Sequence, residues 1–300
     1  MTGDIRDYAR LGLVHHMLYA EDSAEPRGHL QTLIEFLRRY DIEAFDFCVP
    51  YSEPYRQQAI SAVRDSSADK AYSLHLFPAR KLSLGTLDSV EREMIKLVLR
   101  DQVSVAADSG ASGFVFVAGA DNIERRGEAM DSLYKLCVWF CRLLAEHDMT
   151  ALLEPFDRFI DKKYLMGSID ECIELVDRVR ETCPNIALEL DIAHLPLMGE
   201  DIRGSILRCG QRIQRVHLGN CVLRDKSSRW WGDMHPPIGV DGGEIGLEEL
   251  KCALSCLGEV GYFGSERKPL ILEMRAYDNM SAAETVERSF ELLKTAWHEI

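Results

Sequence analysis

Eight short apolar runs, each followed by polar or amphipathic chain, restrict most strongly what this sequence can become. They are LGLVHHMLY (11–19), AFDFCVP (44–50), AYSLHLF (71–77), GFVFVAG (113–119), TALLEPF (150–156), IALELDI (186–192), IQRVHLGNC (213–221) and PLILEMRA (269–276). Their apolar character is nearly continuous rather than alternating. That marks strands buried on both faces, and therefore a parallel sheet. Helical periodicity fills gaps between them at 29–40, 128–147, 168–183, 246–261 and 281–300. Segment 168–183 opens with Ser168 and has Glu171 three residues on, the pattern of a capping box. Tandem βα units in this number close a barrel more readily than they extend an open sheet. The expected fold is α/β, a (β/α)8 TIM barrel, with residues 1–300 in a single domain. Such a barrel needs about 250 residues, and the surplus goes into loops. The longest loop, 222–245 after strand seven, is polar and carries Gly232, Gly239, Gly242 and Gly243; loops of that length are commonly functional.

Charged and polar residues interrupt the late runs near their C-terminal ends. Run five has Glu154, run six Asp191 with His194 just beyond it, run seven His217 and run eight Glu273. A charge inside an apolar strand is costly unless it is paired or bound to metal. In a barrel these four strand ends meet at one mouth. Three carboxylates and one imidazole make a hard, mostly oxygen ligand set. Glu154, Asp191, His217 and Glu273 are therefore expected to hold one divalent metal, Mn²⁺ before Co²⁺, Mg²⁺ or Zn²⁺.

Composition narrows the partners. The formal net charge is −14, which repels polyphosphate at long range and argues against nucleic acid. Nine cysteines, an odd number with no Cys-x-x-Cys, read as buried free thiols of a reducing compartment. No run approaches the roughly 20 apolar residues of a membrane span, and the N-terminus lacks a signal-peptide pattern. A cytoplasmic location and no membrane partner are expected.

On the segments LLEPFDR, LELDIAHL, RVHLGN and LEMR, the chain resembles the xylose-isomerase-like TIM-barrel superfamily of sugar isomerases and epimerases, over nearly its whole length. In the ketose 3-epimerase branch, the resemblance implies, Glu154, Asp191, His217 and Glu273 bind one metal. Glu154 and Glu273 also exchange a proton with the substrate carbon, and His194 contacts substrate oxygen. One departure stands out. That branch carries another glutamate six residues beyond the first ligand, where this chain has Ile160 followed by Asp161. A second resemblance, to the apurinic-endonuclease branch, rests on Asp233-Met-His235 in the long loop. With His194 these would hold a second metal. That branch's first site uses His75 and a histidine on strand four, and run four offers none.

The remaining candidates are weaker. His194, His235, Arg275, His75 and Trp231 are expected to contact substrate. Trp230 and Trp231 would cover the mouth as part of a lid, and Arg275 shares the strand face of Glu273. Arg158 reads as a surface residue, and at most one of His15 and His16 faces inward. GVDGGEIG lacks the order of a phosphate-binding fingerprint. The expected function is a divalent-metal-dependent sugar isomerase or epimerase working through an enediolate. The alternatives are a lyase acting on a keto-inositol or an oxidised C-glycoside, an apurinic-endonuclease-like phosphodiesterase, and a non-catalytic sugar-binding barrel. The expected partner is a small sugar or polyol, with self-association as a homo-oligomer left open.

Overall fold

The computed structural model describes residues 3–74 and 82–300. Eight strands form a closed barrel in sequence order: β1 (Arg10–Val14), β2 (Ala44–Phe47), β3 (Asp69–Ser73), β4 (Gly113–Phe116), β5 (Thr150–Leu153), β6 (Ile186–Asp191), β7 (Ile213–Leu218) and β8 (Pro269–Leu272). Every neighbouring pair is parallel, and β1 closes the ring on β8 through Leu11↔Leu270 and Leu13↔Leu272. A helix follows each strand on the outside: Pro26–Arg39, Tyr55–Arg64, Ser89–Asp108, Arg126–Ala145, Ile169–Arg180, Ile202–Cys209, Leu247–Glu259 and Ala282–His298. Three of these, Tyr55–Arg64, Ser89–Asp108 and Ile202–Cys209, fall where no helix was assigned from periodicity.

Pleating sorts each strand into two sets. One set, including Leu11, Leu13, Phe45, Phe47, Tyr72, Phe114, Phe116, Leu188 and Leu190, packs against the helices in the main core. The other set faces the barrel axis. Its apolar members form two small interior clusters, Ala71 with Val115, Leu152 and Ala187, and Val14 with Ala44 and Ile271. Two residues further along the same strand faces come Asp46, Glu154, Glu189 and Glu273, with Arg215 and His217 from β7. The interior thus changes from hydrocarbon to ionic toward the C-terminal mouth, where catalytic groups of such barrels sit.

The structure corrects two local expectations. The run 11–19 is not one strand: β1 stops at Val14, and His15–Leu18 turns into a short helix. There His15 is fully buried, edge-on to Phe36 at 5.3 Å and 5.1 Å from the His29 ring. Burial, then the charges of His29 and His16, push the His15 imidazole well below its ordinary range, so it packs as a neutral ring. Ser168 does cap its helix, accepting from Glu171 N at 3.3 Å, but the Glu171 carboxylate instead takes Arg126 Nη2 at 2.9 Å. The reciprocal box forms at the last helix, where Ser281 Oγ accepts from Glu284 N at 3.2 Å and Glu284 Oε2 from Ser281 N at 2.8 Å.

Closure of the small interior demands glycine at one point. A Cβ on Gly12 of β1 would lie 2.2 Å from the Ala44 carbonyl oxygen and 2.5 Å from Ile271 Cδ1. The first neighbour is backbone and cannot turn away. Gly12→Ala is expected to cost about 1–3 kcal/mol through overpacking, seen as a Tm lowered by several degrees. An unchanged Tm would mean that β1 and β2 are less tightly apposed than described.

Candidate metal centre

The four strand-end residues singled out above converge. One ligand atom each from Glu154, Asp191, His217 and Glu273 lies within 4.8 Å of every other, and all four side chains are buried. Their backbone is fixed by strand pairing and its extension: Glu154 N donates to Phe116 O at 3.0 Å and Glu273 N to Leu218 O at 3.1 Å. Asp191 splits its two oxygens. Oδ1 accepts from Ala193 N at 2.8 Å and Gly219 N at 3.2 Å, whereas Oδ2 is buried with no hydrogen-bond partner. That oxygen lies 3.4 Å from His194 Nε2 and 3.6 Å from His235 Nδ1; a buried carboxylate oxygen without a hydrogen bond, gathered with two further carboxylates and an imidazole, fits a cation.

His217 is held from behind. Its Nδ1 faces the cluster, 2.5 Å from Glu273 Oε2, while Nε2 donates to Asp46 Oδ2 at 3.0 Å. Asp46 is fully buried, and its other oxygen accepts from Arg215 Nε at 2.7 Å. Arg215 also donates to Asp69 Oδ1 at 2.8 Å and Phe45 O at 3.1 Å. Glu189 lies 3.6 Å from Arg215 Nε and 3.4 Å from His217 Nε2. Asp46, Glu189 and His217 also fall within ligand distance of one another. Arg215 sets its single charge against Asp46, Asp69 and Glu189; both Glu189 oxygens are buried without a hydrogen bond, and burial raises that carboxyl well above its ordinary range. Asp46 fixes the ring and tautomer of His217, as a residue behind a metal ligand would. Asp46, Glu189 and Arg215 escaped the sequence reading. Asp46 lies in AFDF and Arg215 in QRVHL, and the buried charge in each strand was the available signal.

The long loop supplies a third layer. Asn220 pins it: Nδ2 donates to Pro237 O at 3.0 Å, and Oδ1 accepts from Ile245 N at 2.8 Å and Cys221 N at 2.9 Å. His235 takes a positive φ of 50°, and its carbonyl accepts from Arg275 N at 2.9 Å. Asp233 Oδ1 stands between two imidazoles, 3.2 Å from His194 Nε2 and 2.8 Å from His235 Nε2, and its Oδ2 lies 2.9 Å from Lys162 Nζ. Asp157, on the loop after β5, orders that lysine: its carboxylate accepts from Ile160 N, Asp161 N and Lys162 N at 2.6, 2.8 and 2.9 Å.

A cavity of about 340 Å³ opens above the cluster, lined by Glu154, Glu189, His217, Asp233, His235, Glu273, Lys162 and Arg275 with apolar walls that include Val14, Val115, Phe116 and Phe156. His16, not His15, lines it. His194 is not strand-terminal but opens the short helix His194–Met198. It is buried behind the cavity, with Nδ1 donating to Pro155 O at 2.9 Å. Neither tryptophan lines the cavity. Trp230 is stacked on Tyr277 at 5.8 Å, and Trp231 bridges to Val222. Arg158 pairs with Asp121 at 3.4 Å and lies over Phe159. Ile160 is 37% exposed, so the position of the extra epimerase carboxylate faces away and Lys162 enters the cavity instead. His75 lies outside the described residues.

Charges in the cluster pull apart. Burial raises the Glu154 carboxyl well above its ordinary range, with Glu189 and Glu273 adding to the effect against His194. Burial likewise raises Asp191. Burial would also raise Glu273, but His235 and His217 outweigh it and hold that carboxyl low. Burial would lower His217, yet Glu189, Glu273 and Asp46 hold its imidazole well above the ordinary range. By the same opposition to burial, Asp233 and Asp191 raise His194, and Glu273 and Asp233 raise His235, each to about 9.

The chain matches the family described as Xylose isomerase-like TIM barrel over residues 34–296, and belongs to it. A Xenopus laevis protein named "Putative hydroxypyruvate isomerase" is 24% identical over 177 residues, 57% of this chain and 59% of that protein. The chain thus spans somewhat over half the length of this relative. A solved D-tagatose 3-epimerase-like protein superposes with a TM-score of 0.73 at 14% identity, over 97% of this chain and 99% of that one. An AP endonuclease, family 2, from Brucella melitensis gives 0.65 at 18% identity, over 89% and 93%. At these identities the two structures attest the shared barrel.

Two outcomes test the centre. Asp46→Asn keeps the shape but exchanges an acceptor oxygen for a donor against His217 Nε2. It is expected to weaken Mn²⁺ binding on the order of 10–100-fold, measured by titration calorimetry below the variant's Tm, which falls because Arg215 loses its buried counter-charge; affinity equal to the parent's would remove Asp46 from the centre. The second outcome follows from proton linkage. Glu154, Asp191 and His217 are raised in the metal-free protein and must lose their protons to become ligands. Metal affinity is therefore expected to rise with pH below those raised values, with protons released on binding. Calorimetry in buffers of different ionisation enthalpy reads that release, and a binding enthalpy that ignores the buffer would contradict it.

Proposed function

We propose that this protein is a divalent-metal-dependent isomerase or epimerase of a small sugar or a related α-hydroxy carbonyl compound. The observation that carries the reading is that Glu154 and Glu273 line one cavity and stand with Asp191 and His217 within ligand distance of one another. Two carboxyls placed so can serve one reacting substrate as proton donor and acceptor. Glu154, Asp191, His217 and Glu273 would hold the ion. When bound, it supplies electrostatic stabilisation to a carbonyl oxygen and an adjacent hydroxyl as negative charge develops on them. Glu273, kept ionised by His235 and His217, takes the proton from the hydroxyl-bearing carbon. Glu154, which lines the same cavity, is placed to exchange a proton with the neighbouring carbon through the carboxylate oxygen that does not hold the ion. His235 and Lys162 offer hydrogen bonds to substrate oxygens, and the apolar walls limit water at the reacting carbons. The family and the relative named for hydroxypyruvate support this chemistry. The exposed Ile160, with Lys162 in the cavity, favours a substrate held differently from that of the 3-epimerases.

Two further readings rest on specific residues. His235 lines the cavity and is raised to about 9, so it would be a charged imidazole able to protonate a leaving group, as a lyase requires. Asp191, His194 and His235 also lie within ligand distance of one another. Asp191 Oδ2, His194 Nε2, Asp233 Oδ1 and His235 Nδ1 are buried without hydrogen bonds, so a second ion could sit there in place of the protons. Lys162 already neutralises Asp233, which favours one ion. A phosphodiesterase acting on DNA finds less support: β4 brings Val115, Phe116 and the following Val117 to the cavity rather than a histidine, and the net charge is −14.

The test is exchange of carbon-bound hydrogen in D₂O, followed by NMR on Mn²⁺-loaded protein with hydroxypyruvate, a panel of ketoses, an inosose and an oxidised C-glycoside. Exchange with isomer formation is expected. Glu273→Gln and Glu154→Gln should each lower kcat on the order of 10²–10⁴-fold, with metal content measured alongside to separate proton transfer from ligand loss. Loss of water or of an aglycone instead of isomer formation would select the lyase. Normal turnover in both variants would end the two-carboxyl reading, and stoichiometric metal with no turnover of any compound would leave a sugar-binding barrel.

A further inference from the structure

The cavity lining is acidic: Glu154, Glu189, Glu273 and Asp233 all contribute to it. Among the described residues its basic side chains are nearly all engaged. Lys162 Nζ lies between Asp233 Oδ2 at 2.9 Å and Asp161 Oδ2 at 3.2 Å. His217 and His235 each lie against carboxylates. Arg275 differs. Its backbone N–H is used, donating to His235 O at 2.9 Å, but its side-chain Nε is buried with no hydrogen-bond partner. Among the described residues no carboxylate forms an ion pair with its guanidinium. Arg275 follows Glu273 by two, so both point to the same side of the chain leaving β8. Both residues line the cavity, and a rise of about 3.3 Å per extended residue puts their Cα atoms on the order of 7 Å apart.

A guanidinium partly withdrawn from water and left unpaired is costly unless the ligand completes it. A neutral hydroxyl gives it one modest hydrogen bond. A carboxylate gives two parallel charge-assisted ones, matching the planar fork. We infer that Arg275 is an anchor for a carboxylate on the substrate, close to the reacting carbonyl. This rests on the isomerase reading and narrows it to short hydroxy-oxo acids. A phosphate monoester dianion is the less suitable occupant, because the lysine that would share its charge is already held by two aspartates. The reaction stays balanced without any co-reactant. The C–H bond of the hydroxyl-bearing carbon breaks and its electron pair becomes the C=C bond of an enediolate. A proton then adds to the former carbonyl carbon, the hydroxyl proton moves between the two oxygens, and the carboxylate is unchanged.

The experiment compares three substrates of one carbon skeleton on Mn²⁺-loaded protein: hydroxypyruvate, neutral dihydroxyacetone and dihydroxyacetone phosphate, each followed by D₂O exchange above the uncatalysed rate. The parent is expected to favour hydroxypyruvate in kcat/KM by at least about tenfold. Arg275→Gln should lower that kcat/KM on the order of 10–100-fold, chiefly through KM, and so collapse the preference. Arg275→Lys should recover part of it, and metal content and Tm confirm that both variants fold. If Arg275→Gln does not fold, the parent's preference and the Arg275→Lys KM decide the question. Preference for the neutral or the phosphorylated ketose overturns the carboxylate anchor and leaves the isomerase reading standing. So does an equal loss on all three substrates in Arg275→Gln. No exchange with these three or with any longer ketose overturns both.

Discussion

The buried chain Arg215–Asp46–His217 is the interaction on which the site depends. Three side chains from two strands meet with almost no solvent: Arg215 is 2% exposed, Asp46 0% and His217 3%. Removing any one leaves a buried charge or an unheld ring, and breaking such a pair costs more than the pair itself contributes to stability. The arrangement stabilises the fold little compared with an apolar filling of the same volume. What it secures is direction. With Nε2 committed to Asp46, His217 turns Nδ1 toward Glu154, Asp191 and Glu273.

Barrel geometry makes that arrangement possible. Small residues at the floor, Gly12, Ala44, Ala71, Gly113 and Ala187, let the strands close tightly. Each inward position two residues further along lies nearer the mouth, so a two-residue step carries β2, β5, β6 and β8 from Ala44, Leu152, Ala187 and Ile271 to Asp46, Glu154, Glu189 and Glu273. Charges at the mouth then have partners within reach from neighbouring strands, which an isolated strand cannot offer. The long loop after β7 adds Asp233 and His235 to the cavity wall. The Asn220 clamp and the Arg275-to-His235 backbone hydrogen bond tie that stretch to the barrel.

The apolar runs, with their spacing, were sufficient to determine eight strands and a closed barrel, because a continuously apolar run of that length has few other ways to bury itself. The convergence of Glu154, Asp191, His217 and Glu273 was legible for the related reason that they are charges in apolar surroundings. Sequence alone did not determine what stands behind them. Asp46 and Arg215 are 169 positions apart, and no local pattern pairs residues at that distance; only closure of the ring brings β2 within reach of β7. Nor could it tell which of the adjacent residues 160, 161 and 162 enters the cavity. Three hydrogen bonds to Asp157 decide that by curling the loop after β5. Periodicity is a property of the chain and can be read along it. The partner of a buried charge is a property of space, and the tertiary structure alone assigns it.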